Sequence, residues 1–167
     1  MVAYSFTRRW LPGIVSGSTR QTIRGHRRRH ARPGEVVQIY TAMRTRHCRL
    51  IGRAICVSVE SIRIIVGSEE GVEIDGRGLL PEELVQFARD DGFGGWADMV
   101  AHWVAYDIPH ELLCDPDCDA VFEGVLVRWR DFEAAAGMEA LAFARAPAGS
   151  QVPLAPTGAA TLRRDAT

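Results

Sequence analysis

Between Gly17 and Arg24 the chain reads Gly-Ser-Thr-Arg-Gln-Thr-Ile-Arg, a run in which hydroxyls and an amide alternate with guanidiniums. Arg20 and Arg24 bring fixed positive charge in a planar fork of donors, which suits phosphate, carboxylate or the edge of a base. Thr19, Gln21 and Thr22 add neutral donors and acceptors beside them. A threonine hydroxyl attacks an amide or ester only when a neighbouring base takes its proton. The flanking arginines stay protonated at any ordinary pH, so Asp91 or a histidine would have to serve Thr22 as that base. Donors without an evident base suit recognition better than catalysis.

The charge around this run is one-sided. Residues 1 to 53 hold twelve arginines and a single acid, Glu35, whereas residues 54 to 167 hold eight arginines and twenty acids. The net charge of -1 hides that split. Arg27, Arg28 and Arg29 follow the Gln-Thr-Ile-Arg tetrapeptide, and Arg44, Arg46, Arg49 and Arg53 lie further on, so an anionic partner is expected, mostly through sequence-independent phosphate contact. Tyr40 alternates out of phase with Val37 and Ile39 and presents its ring either to a cleft or to the outer face. The chain has no lysine. Schiff-base chemistry and a phosphate-loop lysine are thereby excluded, and the glycine-rich pieces lack the strand-to-helix setting of a dinucleotide fingerprint.

Four cysteines, Cys48, Cys56, Cys114 and Cys118, occur without a credible export signal, because the apolar stretch after Arg8-Arg9 is interrupted by Pro12-Gly13 and ends at Ser16. Reduced thiols and a cytoplasmic location are expected. No apolar run approaches the roughly 20 residues that a membrane span needs. His110, Cys114 and Cys118 invite a zinc reading, but their spacing is looser than a knuckle and Pro116 interrupts it. Cys48 and Cys56 fit half-buried strand positions. His26 and His30 sit among arginines that repel a divalent cation, so no metal and no cofactor is expected. Trp96, Trp103 and Trp129 read as core residues more than as base-stacking platforms.

The elements that must hold these side chains follow from periodicity and punctuation. Tyr4–Phe6 predicts a strand, Arg8–Ser16 a helix stopped by Gly17, and Gln21–Arg24 a brief extended segment before a basic loop closed by Pro33-Gly34. Glu35–Thr41 alternates as a strand. Arg49–Val66 predicts two strands interrupted at Glu60-Ser61, and Gly71–Gly76 a shorter one. Pro81 opens a helix through Arg89, with Glu82 and Glu83 in its first turn, and Trp96–Ala105 forms another. Asp91, ahead of Gly92, is either a helix-end turn former or a ligand contact. Phe122–Trp129 closes the strand set. Residues 133 to 145 predict a weak helix and 146 to 167, rich in Ala, Pro and Thr, a disordered tail. Strands that cluster instead of alternating with helices favour an α+β fold, a small β-barrel with two to three flanking helices.

The order Gly17-Ser18-Thr19-Arg20-Gln21-Thr22-Ile23-Arg24, then Pro33-Gly34-Glu35 leading into Val36–Tyr40, resembles the ASCH family of PUA-like β-barrels. Phe87-Ala88-Arg89-Asp90-Asp91-Gly92-Phe93 with Trp96-Ala97-Asp98-Met99, and Phe122 through Trp129, extend the likeness over residues 4 to 130. The resemblance implies a PUA-like barrel over residues 1 to 132, followed by the tail of 133 to 167. It also implies RNA or nucleotide binding in a cleft beside the barrel. Some ASCH relatives are amidohydrolases that use a motif lysine, a motif threonine and a downstream glutamate. By position the threonine is Thr22, the motif arginine is Arg24 and the glutamate falls near Asp91, while Thr19 replaces the lysine.

The leading expectation is therefore an RNA or nucleotide binder contacting its ligand through Thr19, Arg20, Gln21, Thr22, Arg24, Arg27, Arg28, Arg29, Tyr40 and Arg44, with single-stranded or modified RNA as the partner. The alternative is a small hydrolase or ribonuclease using Thr22 and Asp91. A third reading is a phosphate-sensitive interaction module with no nucleic-acid partner.

Overall fold

The computed structural model describes residues 1–67, 69–106, 108 and 119–143. It is a mixed α+β fold whose seven strands hydrogen-bond in the order β1-β3-β4-β5-β6, with β7 paired to both β4 and β2. The strands are β1 (Val2–Phe6), β2 (Gln21–Gly25), β3 (Val36–Thr41), β4 (Arg49–Val66), β5 (Gly71–Ile74), β6 (Arg77–Gly78) and β7 (Ala120–Ala134). The helices are α1 (Leu11–Ser16), preceded by a 3-10 turn over Arg8–Trp10, then α2 (Pro81–Asp90), α3 (Trp96–Tyr106) and α4 (Met138–Phe143). The chain divides into two compact units, each contributing part of β4 and part of β7.

The first unit comprises residues 1–21, 29–59 and 127–143 among its described parts. Here β1 runs parallel to β3, Val2 beside Val37 and Phe6 beside Thr41, and β3 runs antiparallel to the first part of β4. Period-two alternation turns Val2, Tyr4 and Phe6 inward from β1 and Val37 and Ile39 inward from β3. Leu11 and Ile14 of α1 are fully buried, each worth about 1.5–3 kcal/mol of removed apolar surface. Gly52 of β4 lies where β7 comes close: a side chain there would meet the Phe132 ring at 2.6 Å and the Glu133 carbonyl. Only glycine leaves room for that approach.

The second unit holds residues 22–28 and 60–126 among its described parts. Its β5–β6 hairpin closes through Asp75 (φ 48°) and Gly76 (φ 80°), the positive-φ pair that matches strand twist in a two-residue turn. Pro81 stands at the start of α2, and the Glu83 carboxylate accepts the Leu80 N–H at 2.8 Å while pairing with Arg77 at 3.0 Å. Met99 and Trp103 bury one face of α3, and the Trp103 ring packs on Phe122 with centroids 4.6 Å apart.

Three elements differ from expectation. Arg49–Val66 is one strand of 18 residues, without a break at Glu60-Ser61. Ser61 continues the strand because its N–H and its hydroxyl both donate to Asp75, at 2.8 and 2.9 Å. The first helical segment is a 3-10 turn followed by a short α-helix, with Pro12 in the first α turn and the left-handed Gly17 (φ 76°) as its stop. Strand β7 continues to Ala134, so the later helix begins only at Met138. Cys48, too, is exposed in the loop between β3 and β4, not half-buried on a strand. His110, Cys114, Cys118 and the tail from 146 onward lie outside the described residues.

A candidate anion-binding surface

Helix α1 positions the turn from Gly17 to Arg20. The Gly13 carbonyl accepts the Thr19 N–H at 3.0 Å and the Ser16 and Ser18 hydroxyls at 3.2 Å each, so the chain leaving Gly17 folds back over the helix. That return presses Thr19, 2% exposed, against Gly13, where an added Cβ would overlap the Thr19 hydroxyl and lie 3.3 Å from its Cβ. The buried Thr19 hydroxyl makes no hydrogen bond among the described residues, and neither does the buried indole N–H of Trp129. Trp129 is tied to the same stretch, since its backbone N–H donates to the Arg20 carbonyl at 2.9 Å. Its ring meets Phe6 edge-on with centroids 6.0 Å apart.

Arg20 is exposed, and its Nε donates to the Gly17 carbonyl at 2.7 Å, which fixes the stem and leaves the terminal nitrogens outward. Gln21 is buried and its amide oxygen accepts from Arg128 Nε at 3.4 Å. Tyr40 lies on the β3 face opposite Val37 and Ile39, half-buried, with its hydroxyl donating to Gln38 at 3.4 Å. Arg44 is exposed in the loop after β3.

Arg29 differs from its neighbours. It pairs with Glu35 at 2.6 Å, and the same carboxylate takes the Met1 amino group and the Arg32 N–H. The Met1 ammonium first, then Arg29, hold the Glu35 carboxyl down to about 2. Tyr4 supports the same loop: its hydroxyl accepts the Ala31 N–H at 3.2 Å and its ring stacks on His30. Burial, and then the Glu35 charge, push the Cys56 thiol up, so this cysteine is an inert core residue.

In the second unit Thr22 is buried on β2, Arg24 is half-buried further along the strand, and Arg27 and Arg28 are exposed. Strand β2 lies close on β7, where a side chain at Gly124 would meet the Arg24 carbonyl and, at 2.7 Å, the Phe122 ring. Asp91 is the C-cap of α2, its N–H bonded to the Phe87 carbonyl at 3.2 Å, and Gly92 follows at φ 97°. Among the described residues no hydrogen bond joins the Thr22 hydroxyl to Asp91 or to a histidine. No cluster of three or more His, Cys, Asp or Glu suited to a metal occurs among them either.

Sequence reasoning missed the Glu35 hub and the locking of Thr19 on Gly13, since both depend on contacts between separated segments. The glutamate did carry a signal, as the single acid of a basic half. Arg63 pairs with Glu73 at 2.7 Å and Arg77 with Glu83, whereas Arg20, Arg32, Arg44, Arg46, Arg49 and Arg53 are exposed and meet no acidic side chain among the described residues. No helix among the described residues is long and apolar enough to cross a membrane. No family model matches the chain, and no curated protein or solved structure does.

Proposed function

We propose that this chain is an ASCH-like, PUA-related β-barrel protein that binds RNA or a nucleotide through its arginine-rich first third. The observation that carries this reading is the set of exposed arginines without acidic partners in the first unit. Like charges gathered without counterions repel and lower stability, and an anionic ligand relieves that repulsion on binding. Arg20 is exposed beside the buried Thr19 and Gln21, so its terminal nitrogens supply a charged fork suited to a phosphate.

Binding is favoured over hydrolysis. A threonine nucleophile needs a base in hydrogen-bond reach, and the Thr22 hydroxyl has none among the described residues. The resemblance itself pairs its threonine with a lysine, and Thr19 stands in that position.

The test is fluorescence anisotropy with a short single-stranded RNA over a salt series, comparing Arg20→Gln with a control in which Arg63 and Arg77 are both replaced by Gln. Arg20→Gln should weaken binding, while the ion-paired control should leave it unchanged apart from a screened long-range effect. Equal losses in both proteins, or no binding by the wild type, would reject the assignment.

A further inference from the structure

The loop joining β3 to β4 stands apart from the motif around Thr19 to Arg24. Its residues from Arg44 to Cys48, and Arg49 at the start of β4, are all exposed, in the order Arg-Thr-Arg-His-Cys-Arg. The loop is nevertheless tightly organised. Thr45 is its hub: the hydroxyl donates to the Ala42 carbonyl at 2.8 Å and accepts the His47 N–H at 3.1 Å. The Thr45 backbone N–H also bonds to Ala42, at 3.2 Å, and its carbonyl accepts the Cys48 N–H at 3.1 Å, so two successive turns share this one residue. Met43 is tied to the Ser5 hydroxyl at 3.3 Å, and the Arg46 Nε donates to the His47 ring at 3.1 Å. Ala42 (φ 52°) and Arg44 (φ 67°) both hold left-handed backbone, unusual for residues with a Cβ and sustained only where neighbouring bonds over-determine the conformation.

Arginines dominate what this frame displays, with His47 among them. Arg44, Arg46 and Arg49 have no acidic partner among the described residues. The exposed run contains no tryptophan, tyrosine or phenylalanine, no asparagine or glutamine to read an adenine edge, and no large aliphatic side chain to enter a lipid surface. Three arginines spaced along a hydrogen-bonded turn and the strand residue that follows it suit several successive phosphates better than one isolated anion. We propose that the β3–β4 loop is a preformed clamp for consecutive phosphates of a nucleic-acid strand, indifferent to base sequence. Arg44, Arg46 and Arg49 make the contacts and Thr45 positions them. The proposal rests on the nucleic-acid function proposed for the chain and assigns backbone grip to this loop.

The test uses the full chain and three probes: a short uridine oligomer, an adenosine oligomer of equal length, and an abasic phosphodiester strand. In the variant with Arg44, Arg46 and Arg49 all replaced by Gln, affinity for all three should fall by at least about tenfold at moderate salt. The slope of log K against log salt should become shallower by about 2, at roughly 0.7 for each phosphate no longer neutralised. Thr45→Val keeps every charge but releases the loop and should weaken binding several-fold, while Thr45→Ser should restore it. A triple variant that binds like the wild type overturns the clamp and leaves the RNA reading standing. Losses that differ among the three probes overturn its indifference to sequence. An unaffected Thr45→Val overturns the positioning role, and a wild-type protein that binds none of the probes sinks both proposals.

Discussion

Replacing Gly13 by alanine tests how Thr19 is held. In an ordinary helix interior the change gains about 0.5–1 kcal/mol by reducing backbone freedom. Here the new methyl would overlap the Thr19 hydroxyl, lie 3.3 Å from the Thr19 Cβ and 3.4 Å from the Ser18 hydroxyl. Relief by rotation is restricted, because Thr19 is β-branched, nearly fully buried, and anchored by its own N–H to the Gly13 carbonyl at 3.0 Å. Overpacking of this kind costs about 1–3 kcal/mol, so Gly13→Ala should destabilise by about 1–2 kcal/mol net, read as a lower urea midpoint at unchanged slope. In a Thr19→Ala background the offending hydroxyl is gone, and the same glycine substitution should become neutral or stabilising by up to about 1 kcal/mol. A Gly13→Ala protein as stable as the wild type, or one equally destabilised in both backgrounds, would show that Thr19 is not locked on α1.

Gly52→Ala should be destabilised by about 1–3 kcal/mol or more in the same denaturation assay, because its methyl meets a ring and a backbone carbonyl of β7 that cannot both move away. The Glu35 carboxyl is held near 2, below its ordinary 4.5, so its contribution is complete above pH 4.5 and is lost as pH falls toward 2. The gap in melting temperature between wild type and Glu35→Gln should shrink across that window, and a constant gap would show that the carboxylate is unpaired in solution. Incubation with acetylcytidine, other acylated nucleosides and short RNAs should yield no product. Thr22→Val should change RNA affinity by no more than a few-fold, below the worth of one hydrogen bond at about 0.5–1.5 kcal/mol, because the Thr22 side chain is buried. Turnover that vanishes in both Thr22→Val and Asp91→Asn would replace binding by hydrolysis as the function.

Local rules were readable from the chain wherever local chemistry decides the structure. Gly17 ends α1 in left-handed backbone, Pro81 opens α2, and the alternation of Val37 and Ile39 sets the inner face of β3. The break expected at Glu60-Ser61 failed because Asp75, fourteen residues beyond Ser61, satisfies its donors and carries the strand through. Arg29 shows the same limit at the surface. It reads as one more cation in a run, yet its guanidinium is engaged by Glu35 and holds the loop in place. The positive-φ pair at Ala42 and Arg44 had no glycine to announce it, so the order within the β3–β4 loop was not legible beforehand.

The central claim is that the exposed, unpaired arginines of the first third contact RNA while the ion-paired ones do not. Arginine side-chain Nε–Hε correlation spectra of the labelled protein, titrated with a short single-stranded RNA, follow each guanidinium separately. Signals from Arg20, Arg44, Arg46 and Arg49 should shift or broaden with added RNA, and those from Arg63 and Arg77 should stay in place. Perturbation spread evenly over both groups, or confined to Arg63 and Arg77, would contradict the account.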